Sequence, residues 1–194
     1  WQYELYSFPE IYPDELVYSW LARYYKKTGY IRYMFVANEL FQNKNVRPDI
    51  EFVNQYTPTT LQAIVEKVPM QEVVERHTMF HIMEEFLSRE RRNKAFAEMV
   101  QMKGNYHTLL PMQKGKEMSG DIKILPYVIQ DDRSQYGETY WHRMHQLQGV
   151  TVCPVHRCYL LDSRVEITAK ASPALTAAET VIFSYSQSFF SMPE

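Results

Sequence analysis

The sequence predicts a mainly α-helical fold, in which a helical N-terminal unit precedes a small α+β, zinc-ribbon-like segment. Three observations favour this fold class. Apolar residues recur at helical spacing through the first hundred residues. Shorter segments rich in Tyr, Val and Ile follow, as is typical of small ribbons. Among them, Cys153 and His156 form a Cys-x-x-His pair, which is half of a tetrahedral zinc site.

The first predicted helix begins after Pro13. We expect Asp14 to cap its first turn and Glu15 to complement the positive end of the helix dipole. Gly29 is expected to end the helix. One helix face is apolar and carries Leu16, Val17, Trp20, Leu21 and Tyr24.

A second apolar run, from Ile31 to Phe41, predicts another helix. The two helices and the Gly29 turn are compatible with a helix-turn-helix, whose second helix would enter a DNA major groove. The second run is aromatic and apolar, however, and offers few side chains that could donate hydrogen bonds to bases. This composition disfavours direct reading of a DNA sequence.

Local signals predict three further helices in the N-terminal unit. Thr57-Pro58-Thr59 indicates one helix start, and Ser88 is expected to cap a helix that ends at Gly104. Between them, an apolar stripe predicts an amphipathic helix packed on the core. The stripe consists of Met79, Ile82, Met83, Phe86 and Leu87.

These elements divide the chain into three predicted regions. Residues 1–104 form the helical unit, and residues 105–166 hold a degenerate zinc knuckle that begins with a connector up to Asp121. Residues 167–194 form a tail or the start of a further region. Within the middle region, short strands are predicted at Ile122–Ile129, Gly149–Val152 and Tyr159–Leu161.

Composition narrows the classes of function. The 194 residues are 45% apolar, and 21 Lys and Arg against 23 Asp and Glu give a net charge of −2. Any contact with DNA must therefore come from a local basic patch. Two cysteines do not make a disulfide framework, which favours a reducing cytoplasm. No apolar run is long enough to span a bilayer, so no membrane partner is expected.

Two sequence blocks resemble a known family. Residues 136–156 read Tyr-Gly-Glu-Thr-Tyr-Trp-His-Arg-Met-His-Gln-Leu-Gln-Gly-Val-Thr-Val-Cys-Pro-Val-His. They are similar to the Tyr-Gly-Glu-x-Tyr-Trp-His-Arg-x-His-Gln-Leu-Pro-Gly-Val-x-Val-Cys-x-x-His block of the TniQ/TnsD target-selection proteins of bacterial cut-and-paste transposons. Residues 8–23 resemble the Pro-x-Pro-x-Glu-x-x-x-Ser-Trp-Leu-x-Arg opening of the same family. Together the blocks bracket residues 8 to about 161.

The resemblance also shows what the zinc knuckle lacks. The family pattern places Cys-Pro-x-Cys upstream of this block, and Leu125 and Val128 stand at its two cysteine positions. Two alternatives remain open. A small apolar cluster could replace the ion, with His156 held by a hydrogen bond. A rearranged zinc site could instead recruit Cys158 with His142 or His145 to join Cys153 and His156.

Other residues of the knuckle region are expected to be structural. We expect Trp141 and Tyr140 to pack over the knuckle, and Arg143, Glu138 and Asp132 to form an ion-pair network. The candidate structural positions are Leu125, Val128, Asp132, Tyr136, Glu138, Trp141 and Arg143.

The resemblance implies a non-catalytic adaptor for choosing a transposition target. Such a protein would engage target DNA, or a complex bound there, and recruit the AAA+ regulator of the transposon. It would work in the cytoplasm at the nucleoid, and self-association stays open. The candidate phosphate contacts are Lys26, Lys27, Arg32, Arg89, Arg91, Arg92 and Lys94. The alternative is that each of these residues simply lies on a solvent-exposed helix face and contacts no DNA.

Two other classes of function compete with the adaptor. A metal-dependent hydrolase or nuclease would need three protein ligands and an open position, which His142, His145, Cys153 and His156 could supply. The sequence has no nucleophile motif and no phosphate-binding Gly-rich loop, so no enzyme is expected. The other class is a protein-interaction module that makes no DNA contact.

Overall fold

The computed structural model describes residues 7–42, 56–103, 121–147, 149–166 and 175–182. These ranges are mainly helical and contain a two-stranded antiparallel sheet, so the predicted fold class is confirmed at this level. The helices are α1 (Val17–Thr28), α2 (Tyr33–Leu40), α3 (Pro58–Lys67), α4 (Met70–His77), α5 (Phe80–Met83), α6 (Arg89–Val100) and α7 (Pro126–Tyr136). The strands are β1 (Asp121–Ile124) and β2 (Leu161–Glu166).

Helix α1 ends as predicted but starts differently. Gly29 adopts a left-handed conformation with φ of 69° and donates its N–H to the carbonyl of Lys26. At the other end, Leu16 occupies the cap position without a side-chain hydrogen bond. The prediction that Asp14 caps the helix was wrong, because its carboxylate accepts bonds from Arg143 and from the N–H of Met144. Glu15 lies just before the helix, and its carboxylate accepts the hydroxyl of Ser19 in the first turn.

Helix α2 differs from the predicted element, whereas helix α3 starts where the sequence predicts. Helix α2 is shorter than the predicted run, and Ile31, 95% exposed, lies outside it. Thr57 caps α3 by accepting the N–H of Thr60, and Pro58 is the first helical residue, which confirms that helix start. Helices α1 and α2 contact each other, but a DNA-binding helix-turn-helix remains a prediction.

The predicted continuous helix at residues 79–87 was wrong. Helix α5 stops at Met83, a 3₁₀ turn covers Glu84–Phe86, and Phe86 is 79% exposed. A 3₁₀ turn has three residues per turn instead of 3.6, so Phe86 turns away from the core, while the other four stripe residues stay buried or packed against it. Ser88 then caps α6 by accepting the N–H of Arg91 at 3.4 Å, as predicted. Helix α6 ends at Val100, and Gly104 falls outside the described residues.

The predicted strand at Ile122–Ile129 was half wrong. Strand β1 ends at Ile124, and Pro126 begins helix α7, because proline is well tolerated at the first helical position. Strand β1 pairs antiparallel with β2, with Ile124 opposite Leu161. The other predicted short strands form an isolated bridge between Val152 and Tyr159.

The main hydrophobic core draws on both blocks. Trp20 and Tyr24 of α1 lie in the same buried cluster as Trp141, so the expectation that Trp141 packs over the knuckle was wrong. Residues 178–182 form a further helical turn that adds Ala178 and Ile182 to this core.

The predicted boundary at residue 104, like most of the connector, lies outside the described residues, and the domain division remains a prediction. No helix within the described ranges is long and apolar enough to cross a membrane.

Candidate functional site

The two sequence blocks meet along their backbones. The N–H of Leu16 donates to the carbonyl of Trp141 at 3.1 Å, and the N–H of Arg143 donates to the carbonyl of Asp14 at 2.7 Å. Glu15 and His142 form the antiparallel bridge between these two bonds. The start of the first block therefore pairs with the centre of the second, and we call this contact the block junction.

Glu15 and Ser19 connect the block junction through side chains. The hydroxyl of Ser19 donates to Oε1 of Glu15 at 2.9 Å and accepts the N–H of Trp141 at 3.0 Å. Oε2 of Glu15 accepts the N–H of Tyr12 at 2.9 Å. Because both Glu15 and Ser19 are fully buried, these bonds are shielded from water.

Arg23 joins the same carboxylate to the second block. Its Nη1 donates to Oε2 of Glu15 at 2.8 Å, and its Nε donates to Oε1 of Glu138 at 2.9 Å. The guanidinium lies over the ring of Tyr12, 3.7 Å from its centroid. Arg23 is only 4% exposed. A planar fork of donors suits two carboxylates and an aromatic face at once, whereas a lysine would offer a single point charge.

Opposing effects act on the ionisation of Glu15. Burial raises the pKa of its carboxyl to about 7, although Arg23 and the hydrogen bonds from Tyr12 and Ser19 act to lower it. Glu15 is therefore a buried acid that titrates near neutral pH.

Asp14 and Arg143 form a second connection at the block junction. Nε of Arg143 donates to Oδ1 of Asp14 at 3.1 Å, and its Nη1 donates to the carbonyl of Glu75 in α4 at 2.8 Å. His77, also in α4, donates from Nδ1 to the carbonyl of Glu15 at 2.7 Å, and burial lowers its pKa. The block junction is thus held against α4.

The expected ion-pair network of Arg143, Glu138 and Asp132 was wrong. Arg143 pairs with Asp14, and Glu138 pairs with Arg23. Asp132 in α7 instead receives the hydroxyl of Thr139 at 2.8 Å and lies 3.0 Å from Nε2 of His142.

The aromatic rings of Tyr140 and Tyr136 pack at the block junction. Tyr140 stacks on His142 at 4.1 Å between ring centroids, and its hydroxyl donates to the carbonyl of Pro13 at 2.9 Å. Tyr136 stacks on Tyr12 at 4.5 Å. The aromatic residues of the second block therefore pack on the first block.

The knuckle contains a small apolar cluster of its own. Leu125 and Val128, at the start of α7, pack with the buried Cys153. Cys158 and Leu160 are partly buried against them. We call these five residues the knuckle cluster. It places both apolar substitutes for the family's cysteines directly against the cysteine that remains.

The polar side of Cys153 faces two histidines. Its Sγ lies 3.3 Å from Nε2 of His145 and 3.5 Å from Nδ1 of His156, and Nε2 of His156 lies 3.1 Å from Oδ2 of Asp131. Burial raises the pKa of the Cys153 thiol, but hydrogen bonds from His156 and Val155 outweigh it and hold the pKa below its usual value.

The pKa values of the two histidines are shifted in opposite directions. Burial lowers the pKa of His145 to about 4, so its imidazole is neutral at pH 7. The pKa of His156 is raised, mainly by the hydrogen bond between His156 and Cys153 and next by the one between His156 and Asp131.

The donor set does not fit the four-ligand zinc site of the family. Two of the four ligand positions are Leu125 and Val128, which cannot coordinate a metal. Among the residues that the structure describes, no three His, Cys, Asp or Glu side chains are arranged to hold a metal ion. Of the proposed co-ligands, His142 is bonded to Asp132, and Cys158 donates its S–H to the carbonyl of His156 at 3.3 Å.

The candidate DNA contacts lie on two separate helices. Lys26 and Lys27 are exposed in the last turn of α1, and Arg32 is exposed just before α2. On α6, the exposed candidates are Arg89, Arg91 and Lys94. Arg92 is partly buried, with its Nε 4.0 Å from a carboxylate oxygen of Glu84.

Sequence reasoning missed several residues that position the site. His77 supports Glu15 from α4. Glu179 accepts three bonds from Arg133 and the N–H of Thr139 at 3.0 Å. Neither residue belongs to a motif, and no spacing signal connects Glu179 with Thr139, 40 positions earlier.

Comparisons with known proteins cover most of the chain. The model of the TniQ family matches residues 6–160. The chain is also 26% identical over 166 residues to the Escherichia coli protein described as "Transposon Tn7 transposition protein TnsD". That alignment covers 81% of this chain and 32% of the relative. The chain therefore spans about a third of the relative's length.

Proposed function

Because the chain belongs to the TniQ family, we propose that it acts as a non-catalytic adaptor in the selection of transposition targets. In this role it links target DNA, or a complex bound there, to the AAA+ regulator of the transposon. The observation that carries the proposal is the block junction, where the two family-like blocks meet in one buried structure.

The block junction has the properties of a scaffold. The charged side chains of Glu15 and Arg23 are buried and paired with each other, and Arg23 also binds Glu138. A reacting group needs a position that a substrate can reach. These side chains are fully occupied by one another, which supports a structural role over a catalytic one.

DNA contact is proposed for the exposed basic residues. Cationic side chains gain affinity for DNA by releasing counterions from its phosphates. Lys26 and Lys27 at the end of α1, with Arg32 nearby, form one such group, and α6 carries the other. A helix-turn-helix made of α1, Gly29 and α2 would bring the first group close to a duplex.

Fluorescence anisotropy of a labelled duplex across a salt series tests this contact. We expect K26E/K27E to weaken binding at least tenfold and to reduce the slope of log K against log salt by about 2, since each lost phosphate contact removes about 0.9. The matched control is K67E/R76E, which reverses the same number of charges on α3 and α4. Equal losses in both variants, or no binding by the unmodified chain, would contradict the proposal.

One observation favours a protein-interaction module without DNA contact. Met34 and Phe35 in the first turn of α2, and Ile31 just before the helix, are exposed apolar side chains. Apolar surface of this kind suits a protein partner better than a phosphate backbone. This alternative predicts no salt-dependent DNA binding, together with retained binding to the AAA+ regulator.

For the knuckle, we propose that apolar packing takes the place of a zinc ion. The contact of Leu125 and Val128 with Cys153 supports this proposal. Burying these side chains contributes roughly 1.5–3 kcal/mol each, which is enough to stabilise a small element that already packs beside a larger core.

A further inference from the structure

The two cysteines lie opposite each other in a hairpin. The N–H of Leu160 donates to the carbonyl of Thr151 at 2.8 Å, and the N–H of Cys153 donates to the carbonyl of Cys158 at 2.9 Å. Between these bonds, Val152 bridges Tyr159 in antiparallel register. The same register therefore pairs Cys153 with Cys158.

This register suits a covalent link between the two sulfurs. Residues directly opposite on neighbouring antiparallel strands have Cα atoms about 4.5–5.5 Å apart. A disulfide needs Cα atoms about 4.4–6.8 Å apart and side chains that point to the same side. Cys153 and Cys158 share the knuckle cluster, so both side chains lie on one face of the hairpin. Both thiols are free.

The two thiols differ in exposure and surroundings. Cys153 is 2% exposed, and its sulfur lies 3.3 Å from Nε2 of His145 and 3.5 Å from Nδ1 of His156. Cys158 is only partly buried. A reagent in solution therefore reaches Cys158 first, and Cys153 lies directly opposite it in the hairpin.

We propose that Cys153 and Cys158 form a reactive thiol pair that low-molecular-weight disulfides oxidise to an intramolecular disulfide. The thiolate of Cys158 attacks one sulfur of the oxidant, the oxidant's S–S bond breaks, and one small thiolate leaves. The thiolate of Cys153 then attacks the sulfur of Cys158 and releases the second small thiolate. The two protein thiols lose two electrons to the oxidant, and their two protons pass to the departing thiolates.

The disulfide excludes metal coordination by either cysteine, because only a thiolate is a metal ligand. It also removes the S–H of Cys158 from its bond with the carbonyl of His156. The proposal is independent of the adaptor function, since it depends on the hairpin alone.

Oxidised glutathione, followed by mass spectrometry, tests the proposal on the full chain. The unmodified protein should become lighter by two hydrogen atoms, without a glutathione adduct. Trypsin cleaves after Arg157, between the two cysteines. The oxidised protein should therefore yield residues 144–157 joined to residues 158–164, and a reductant should separate them.

Two single variants check the order of the steps. Cys153→Ser should trap glutathione on Cys158, because no second thiol can release it. Cys158→Ser should react at least tenfold more slowly, because Cys153 is buried. Stable glutathione adducts on the unmodified chain, a link between two chains, or no reaction at all would overturn the proposal. The joined peptides are measured on the unmodified protein, so this test remains valid even if one of the variants fails to fold.

Discussion

At the level of single residues, Arg23 connects the two ends of the family-matched region. It binds Glu15, eight positions earlier, and Glu138, 115 positions later. The fixed spacing inside each block indicates which residues are important, but it cannot reveal that these two carboxylates share one guanidinium. That pairing depends on how α1 and the second block pack together.

Replacing Arg23 should be costly for stability. Arg23→Ala leaves the buried Glu15 carboxylate without its charged partner, and breaking a buried pair in this way costs about 3–5 kcal/mol. Arg76→Ala is the control, because Arg76 pairs with Glu72 in an exposed i,i+4 pair, for which the expected cost is about 0.3–0.5 kcal/mol. Urea denaturation measures both free energies. A loss below about 1 kcal/mol for Arg23→Ala would show that the pair is not what holds the blocks together.

Glu15 should give stability a recognisable dependence on pH. Its pKa is about 7 in the folded protein and ordinarily 4.5. Between these values the folded protein keeps a proton that the unfolded chain has released. The contribution of Glu15 to the free energy of unfolding therefore falls as pH rises from about 4.5 and levels off above about 7.

Glu15→Gln isolates this effect, because glutamine does not titrate. The unfolding free energy of the unmodified protein minus that of Glu15→Gln should fall by on the order of 1–3 kcal/mol between about pH 5 and pH 8. Buried histidines such as His77 cancel in this difference. Denaturant titrations at several pH values measure it. A difference that stays constant, or rises with pH, would exclude a raised pKa at Glu15.

At the level of elements, local chemistry predicted helix ends better than it predicted helix interiors. Gly29, Thr57 and Ser88 each act where the sequence placed them, because a left-handed turn or a cap depends on a few neighbouring residues. Helix α7 was missed because its first residues were interpreted as part of a strand rich in Tyr, Val and Ile over Ile122–Ile129. Most of the stripe ending at Leu87 packs on the core, but its helix was not predicted correctly, because apolar spacing does not reveal a change to 3₁₀ geometry.

The knuckle cluster leads to a prediction about metal binding. Leu125→Cys with Val128→Cys would place two thiols against Cys153, with His156 alongside, and so complete a Cys₃His site. We expect this double variant to bind about one zinc per chain and the unmodified protein to bind substantially less.

Plasma mass spectrometry after dialysis against trace zinc measures the metal content. Adding Cys153→Ser to the double variant is the control, and it should lower zinc content again. If the folded double variant takes up no zinc, Leu125 and Val128 do not stand at the lost ligand positions.

At the level of the whole molecule, the second block contributes to the core of the helical unit. Trp141 is buried with Trp20, and its indole N–H donates to the carbonyl of Thr176 at 2.7 Å. The sequence showed a tryptophan near a ligand pair, and proximity along the chain suggested that it covers the knuckle. Its real position follows from the pairing of Leu16 with Trp141, which only the folded chain reveals.

Recruitment of the AAA+ regulator to DNA tests the proposed adaptor function most directly. Immobilised duplex DNA is incubated with the regulator, with and without this chain, and the retained regulator is quantified. We expect at least tenfold more retained regulator when the chain is present, loss of this gain with K26E/K27E, and its preservation with K67E/R76E. Equal retention of the regulator with and without the chain would contradict the adaptor function.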